Sequence, residues 1–166
     1  MTRVVGSTLS PALVERLSQG DLERRLGVGL PFVTLDREGR LHPMLVSYLE
    51  LRAYDAGTLG LVIQARSSSA RNLAERGVGT LSIIEPEVVV YLKIRAVDGP
   101  LPVVGGEAFG LGFFLLEVEQ VLEDAAAEWE GGLRITEAIR YAPVPTLAEP
   151  WARATLDALA APRARA

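Results

Sequence analysis

The chain contains no cysteine, so it can have no disulfide framework, no thiolate nucleophile and no zinc site of the cysteine type. It has one histidine, His42, which excludes a cluster of imidazole ligands and the paired histidines of a metalloprotease helix within one chain. Lysine is almost absent: of 17 basic residues only Lys93 is not arginine. No apolar run approaches the roughly 20 residues needed to cross a bilayer, and the opening Met1-Thr2-Arg3-Val4-Val5-Gly6 has no apolar core of a secretory signal. These absences lead to the expectation of a cytoplasmic protein that neither spans nor enters a membrane. Nucleotide signatures are missing too. The Gly105-Gly106 region has neither the spacing of a dinucleotide fingerprint nor a following Lys-Ser/Thr, and there is no Gly-x-Ser-x-Gly elbow.

What is present describes a folded domain. Hydrophobic residues make up 49% and charged residues 23% of 166, and a chain of this size buries enough surface to hold a core without metal or disulfide. The net charge is −4, which gives no general attraction to nucleic acid or to an anionic membrane.

Two helical segments lead in. Ser10-Pro11 reads as an N-cap followed by proline at the first helical position, with Leu13, Val14 and Leu17 at helical spacing. Asp21 is placed to cap a further turn that ends at Gly27-Val28-Gly29. A strand is predicted over Leu30–Leu35, a turn at Asp36-Arg37-Glu38-Gly39, and a second strand over Leu41–Leu49. Thr58–Gln64 reads as a third strand, apolar on both faces and therefore deep in the fold.

A short helix over Ser67–Gly77 precedes strands at Val78–Ile84 and Val88–Val97. On the last of these, Tyr91, Lys93 and Arg95 share a face opposite Val90, Leu92 and Ile94. Asp98–Glu107 reads as a loop, Phe109–Glu123 as a long strand, Leu133–Ile135 as a small one, and Pro150-Trp151 as the start of a closing helix. About six antiparallel strands joined by tight turns suit a closed or nearly closed barrel, with an open sandwich as the other arrangement. The organisation expected is a helical lead-in over 1–29, a barrel over 30–147, and a helix and tail over 148–166.

The segment richest in chemistry is Gln64-Ala65-Arg66-Ser67-Ser68-Ser69-Ala70-Arg71-Asn72-Leu73. Where a strand gives way to a helix, first-turn N–H groups, serine hydroxyls and the guanidinium groups of Arg66 and Arg71 together favour a phosphate. A capped surface helix with solvated arginines is the plainer reading of the same residues. His42 reads as a solvent-facing strand histidine, and Glu117 and Glu119 lack the cleft that an acid/base pair needs.

With the hairpin Gly39-Arg40-Leu41-His42-Pro43-Met44-Leu45-Val46 and Ser67-x-Ser69-x-x-Asn72-Leu73, the order of strands from Leu30 to Val121 resembles the pyridoxamine 5′-phosphate oxidase-like family of flavin-binding split barrels. The resemblance implies a mainly β fold with flanking helices, an antiparallel split β-barrel, and a homodimer holding FMN at its interface. It places the flavin ring along Pro43, Met44, Leu45 and Val46, the end of the third strand at Gln64 beside the cofactor, and the phosphate against Ser67, Ser68 and Ser69. Arg66, Arg71 and Asn72 complete the implied cofactor site.

The chain departs from the family where it matters. Ser68 and Ser69 stand where the family commonly sets Arg and Lys against the phosphate, and hydrogen bonds to a charged group contribute on the order of 1.5–3 kcal/mol each. The C-terminal residues 160–166 do not supply the substrate-binding basic residues of pyridoxal-phosphate-forming members. The functions in view are thus an FMN-dependent oxidoreductase of unassigned substrate, the same barrel holding a deazaflavin, or a non-catalytic small-ligand or scaffold barrel with little or no flavin affinity. Haem is disfavoured by the single histidine.

Overall fold

The computed structural model describes residues 2–86, 88–126, 128–132 and 134–160. The lead-in begins with a strand rather than a helix: β1 (Thr2–Gly6) precedes α1 (Pro11–Leu17) and α2 (Leu22–Arg25). Ser10 caps α1, its Oγ accepting from the Leu13 N–H at 3.3 Å. The Asp21 side chain makes no cap hydrogen bond to α2.

β2 (Gly29–Leu35) and β3 (Leu41–Ser47) form the expected hairpin, paired from Gly29↔Ser47 to Leu35↔Leu41. Asp36 closes its turn: the backbone N–H of Arg40 donates to Asp36 Oδ1 at 2.7 Å, and Gly39 adopts φ 77°, a conformation that favours glycine. β3 stops at Ser47, two residues before the expected Leu49, because Tyr48–Glu50 turns as a 3₁₀ helix closed by a Ser47–Glu50 capping box. The chain then makes a short strand missing from the sequence reading, β4 (Leu51–Ala53), and β5 (Thr58–Gln64).

α3 (Ser68–Arg76) follows, capped by Ser67 and ended by Gly77 at φ 70°. β6 (Val78–Glu85), β7 (Val88–Pro102) and β8 (Leu111–Asp124) complete the sheet, and α4 (Pro150–Leu159) closes the described chain. The Gly/Pro-rich stretch read as a loop from Asp98 is in β7 as far as Pro102. Register shifts at Lys93/Ile94, Ala96/Asp98 and Asp98/Leu101 absorb the irregularity while pairing with β8 continues. Phe109 lies in a 3₁₀ turn, Glu107–Phe109, outside β8. Of the small strand expected at Leu133–Ile135, Leu133 lies outside the described residues and 134–135 form no strand. The tail over Pro162–Ala166 also lies outside them.

The strands form one eight-stranded antiparallel sheet in the order β3-β2-β6-β7-β8-β5-β4. β1 continues the edge of β8 where β5 leaves off, pairing with Val121–Asp124 while β5 pairs with Leu111–Glu117. This is the expected split antiparallel barrel.

The apolar character of β5 on both faces has a direct cause. Leu61 and Ile63 point into the main core with Phe32, Leu92 and Phe114, whereas Val62 points the other way into a second cluster with Phe113, Leu115 and Ala158 and Leu159 of α4. A strand buried on both sides has no polar alternation. On β7 the alternation survives, Lys93 and Arg95 being exposed and Leu92 and Ile94 buried. Arg95 pairs with Glu117 and Glu119 of β8, so those carboxylates are surface partners of one guanidinium, an arrangement of small energetic weight.

Candidate functional site

The start of α3 lies beside the β2–β3 hairpin, and the two enclose a cleft of about 310 Å³. From α3 come Ser68, Arg71, Asn72 and Glu75; from the hairpin come Asp36, Arg37, Glu38 and His42. Helical spacing puts Ser68, Arg71 and Asn72 on one face. The fold holds each differently.

Asn72 is buried, and its Nδ2 donates to Thr34 Oγ1 at 3.0 Å; the Thr34 hydroxyl in turn donates to the His42 carbonyl at 3.4 Å. This short chain ties α3 to β2 and β3. At the other end of the helix, Arg37 grips Glu75 with two bonds of 2.7 and 2.5 Å, and Arg76 donates to the Asp36 and Arg37 carbonyls. The Arg37 guanidinium holds the Glu75 carboxyl below its ordinary value, and Glu75 raises Arg37.

The mouth of the cleft is less committed. Arg71 Nη2 donates to Ser68 Oγ at 3.1 Å, which leaves the hydroxyl proton of Ser68 directed elsewhere. Ser67 satisfies one first-turn amide, accepting from the Ala70 N–H at 3.1 Å, and the remaining first-turn N–H groups have no acceptor within the helix. The cleft thus offers hydroxyl, amide and guanidinium donors at a nine-residue helix's positive end. It also carries three carboxylates, those of Asp36, Glu38 and Glu75.

The residues expected at the site therefore divide. Ser68, Arg71 and Asn72 share the cleft. His42 joins them, half-buried rather than fully exposed. Ser67 caps the helix, Ser69 is buried, and Arg66 is exposed without an ion-pair partner among the described residues.

On β3, Pro43 and Leu45 face outward, Met44 packs against the core and Val46 lies within it. Gln64 lies on a different cavity, with Glu50, Phe109 and Trp151. Arg37 and Glu75 escaped the sequence reading because they meet only through tertiary structure, 38 positions apart. A turn arginine gives no local sign of such a partner.

No family model matches the sequence, and no curated protein matches it. Solved structures do match in fold. A putative pyridoxamine 5′-phosphate oxidase from Lactobacillus delbrueckii superposes with a TM-score of 0.54 at 12% identity, covering 73% of this chain and 98% of that one. An FMN-binding protein from Syntrophomonas wolfei gives 0.52 at 9% identity, covering 70% and 92%. HupZ of Group A Streptococcus gives 0.50 at 11%, covering 68% and 92%. The chain has the split-barrel fold of pyridoxamine 5′-phosphate oxidase-like and FMN-binding proteins. Among the described residues, no helix is long and apolar enough to cross a membrane, and no group of three or more acidic, histidine or cysteine side chains is placed to hold a metal.

Proposed function

We propose that the protein is a flavin-binding split barrel of the oxidoreductase type that takes FMN, or a deazaflavin of similar shape, with the phosphate at the start of α3. The observation that carries this reading is the convergence of Ser68, Arg71 and Asn72 with His42 on one cleft beside a helix N-terminus. An anion there meets first-turn amides, the Ser68 hydroxyl and the Arg71 guanidinium, each of which prefers a negative partner. Bound flavin would supply hydride or electron transfer. The chain's own residues would anchor and orient it, and the exposed outer face of β3 would adjoin its ring.

A homodimer belongs to the same proposal. β3 is a sheet edge, and Leu41, Pro43 and Leu45 alternate onto one outward face, with Leu41 73% and Leu45 51% exposed. An apolar edge left open invites pairing or cover, and a second copy would bury it. Scattering should find a dimer, and Leu45→Lys should shift it toward monomer. A wild-type monomer at working concentration would remove this part of the proposal.

A second reading, a barrel with weak or no flavin affinity, is favoured by one feature of the same cleft. Arg37 is already neutralised by Glu75, and Asp36 and Glu38 add negative charge. Titrating FMN while following its fluorescence separates the two readings. Saturable quenching that weakens by about tenfold or more in Arg71→Ala supports the flavin site. No quenching at millimolar FMN supports the scaffold.

A further inference from the structure

The second cavity, about 390 Å³, lies on the outer side of the sheet, where α4 and the Glu107–Phe109 turn meet the end of β5. Its wall includes Val62, Gln64, Phe109, Trp151 and Thr155, with Glu50 as the only ionisable side chain among the described residues. It shares no residue with the cleft at α3.

Glu50 is only half used by the fold. Its Oε2 accepts from the Ser47 N–H at 2.8 Å and from the Ser47 hydroxyl at 2.7 Å. Its Oε1 has no hydrogen-bond partner among the described residues. A capping box is served equally by glutamine, so the cap does not require a charge. Burial is the chief influence on this carboxyl and raises its pKa, opposed only by the Ser47 hydrogen bonds; no cation is among the causes.

The other polar groups around it are sorted in the same way. Trp151 Nε1 donates to Glu149 at 2.6 Å, which fixes the indole and removes its N–H from the cavity's donors. The Thr155 hydroxyl donates to the Trp151 carbonyl at 2.9 Å. The Gln64 amide has no side-chain partner among the described residues. What the cavity presents is therefore an unmatched carboxylate oxygen and an amide, with two aromatic rings and aliphatic floor. A carboxylate beside aromatic rings recognises cations and N–H donors carried on a flat apolar body.

We propose that this cavity binds a small organic cation of the aryl-amidinium or arylalkyl-ammonium class, its charged end on Glu50 Oε1 and its apolar body against Phe109 and Trp151. The proposal is independent of the flavin reading.

Benzamidine is the probe, and benzamide, of nearly the same shape but uncharged, is its control. The protein has two tryptophans, and Trp129 is 84% exposed, so Trp129→Phe leaves Trp151 as the sole indole reporter. Benzamidine is expected to change its fluorescence saturably, and benzamide to bind about tenfold or more weakly. Glu50→Gln, which keeps the cap, should lose benzamidine by a similar factor while its melting temperature stays near that of the parent. Phe109→Ala should weaken binding with Glu50 untouched. Absence of a saturable signal, or equal binding of benzamidine and benzamide, overturns the proposal in the parent protein without recourse to any variant. Undiminished benzamidine affinity in folded Glu50→Gln does the same.

Discussion

Two clusters of arginine and carboxylate lie at opposite duties in this molecule. In the seam between the N-terminal helices and the barrel, Glu85 is buried and meets Arg16 at 3.2 Å and Arg25 at 3.8 Å, and it accepts the Tyr48 hydroxyl. Arg25 also lies over the Tyr48 ring, 5.2 Å from its centre. Desolvation first, then Glu85, push the Tyr48 hydroxyl well above its ordinary pKa. At the α3 cleft, Arg37 and Glu75 make a geometrically better pair, yet Arg37 is 77% exposed. Water screens that pair and leaves its neighbours open to a ligand. The contrast shows that burial, more than the quality of the ion-pair geometry, decides whether such a cluster holds the fold or remains available for binding.

Breaking the seam should have the largest effect. Glu85→Ala takes the carboxylate from partly buried Arg16 and leaves Arg25 only Asp21, 3.6 Å away, and a loss of about 3 kcal/mol is expected in urea denaturation. Tyr48→Phe removes one hydrogen bond to that carboxylate and should cost about 2 kcal/mol. At the cleft the same kind of change should leave the fold alone. Glu75→Gln should not shift the melting temperature measurably, but it removes a negative charge and releases Arg37, so FMN should bind several-fold more tightly.

Glu50 extends the comparison to a carboxylate with no cation beside it among the described residues, and its effect should be the smallest. Its folded-state pKa is raised above the ordinary 4.5. The proton is therefore bound more tightly in the folded protein, and the stabilisation that follows is fully present below pH about 4.5 and lost as pH rises through the folded value. Wild type should consequently gain stability relative to Glu50→Gln as pH falls from 7 toward 4.5, read as the difference between their denaturation midpoints.

The same contrast between local and distant contacts governs what the sequence reveals. β5 and α3 are legible almost to the residue, because turn residues, a serine cap and Gly77 delimit them within the chain itself. β1 is not. Its five residues are nearly all exposed and show no alternation, so only pairing with β8 makes them a strand. The second half of β7 hides behind Gly99 and Pro100, residues that signal a loop unless a partner strand supplies the register. At the cleft, Ser68, Arg71 and Asn72 are readable from helical spacing. Arg37, Glu75 and the separation of Gln64 into another cavity depend on how the hairpin, α3 and α4 pack.

The claim on which the functional reading turns is that the start of α3 holds the phosphate of a flavin. The affinity ratio of FMN to riboflavin, which differ only in that phosphate, isolates it. A ratio of about ten or more that collapses toward one in Arg71→Ala is the expected result; riboflavin binding as tightly as FMN to the wild-type protein would contradict it.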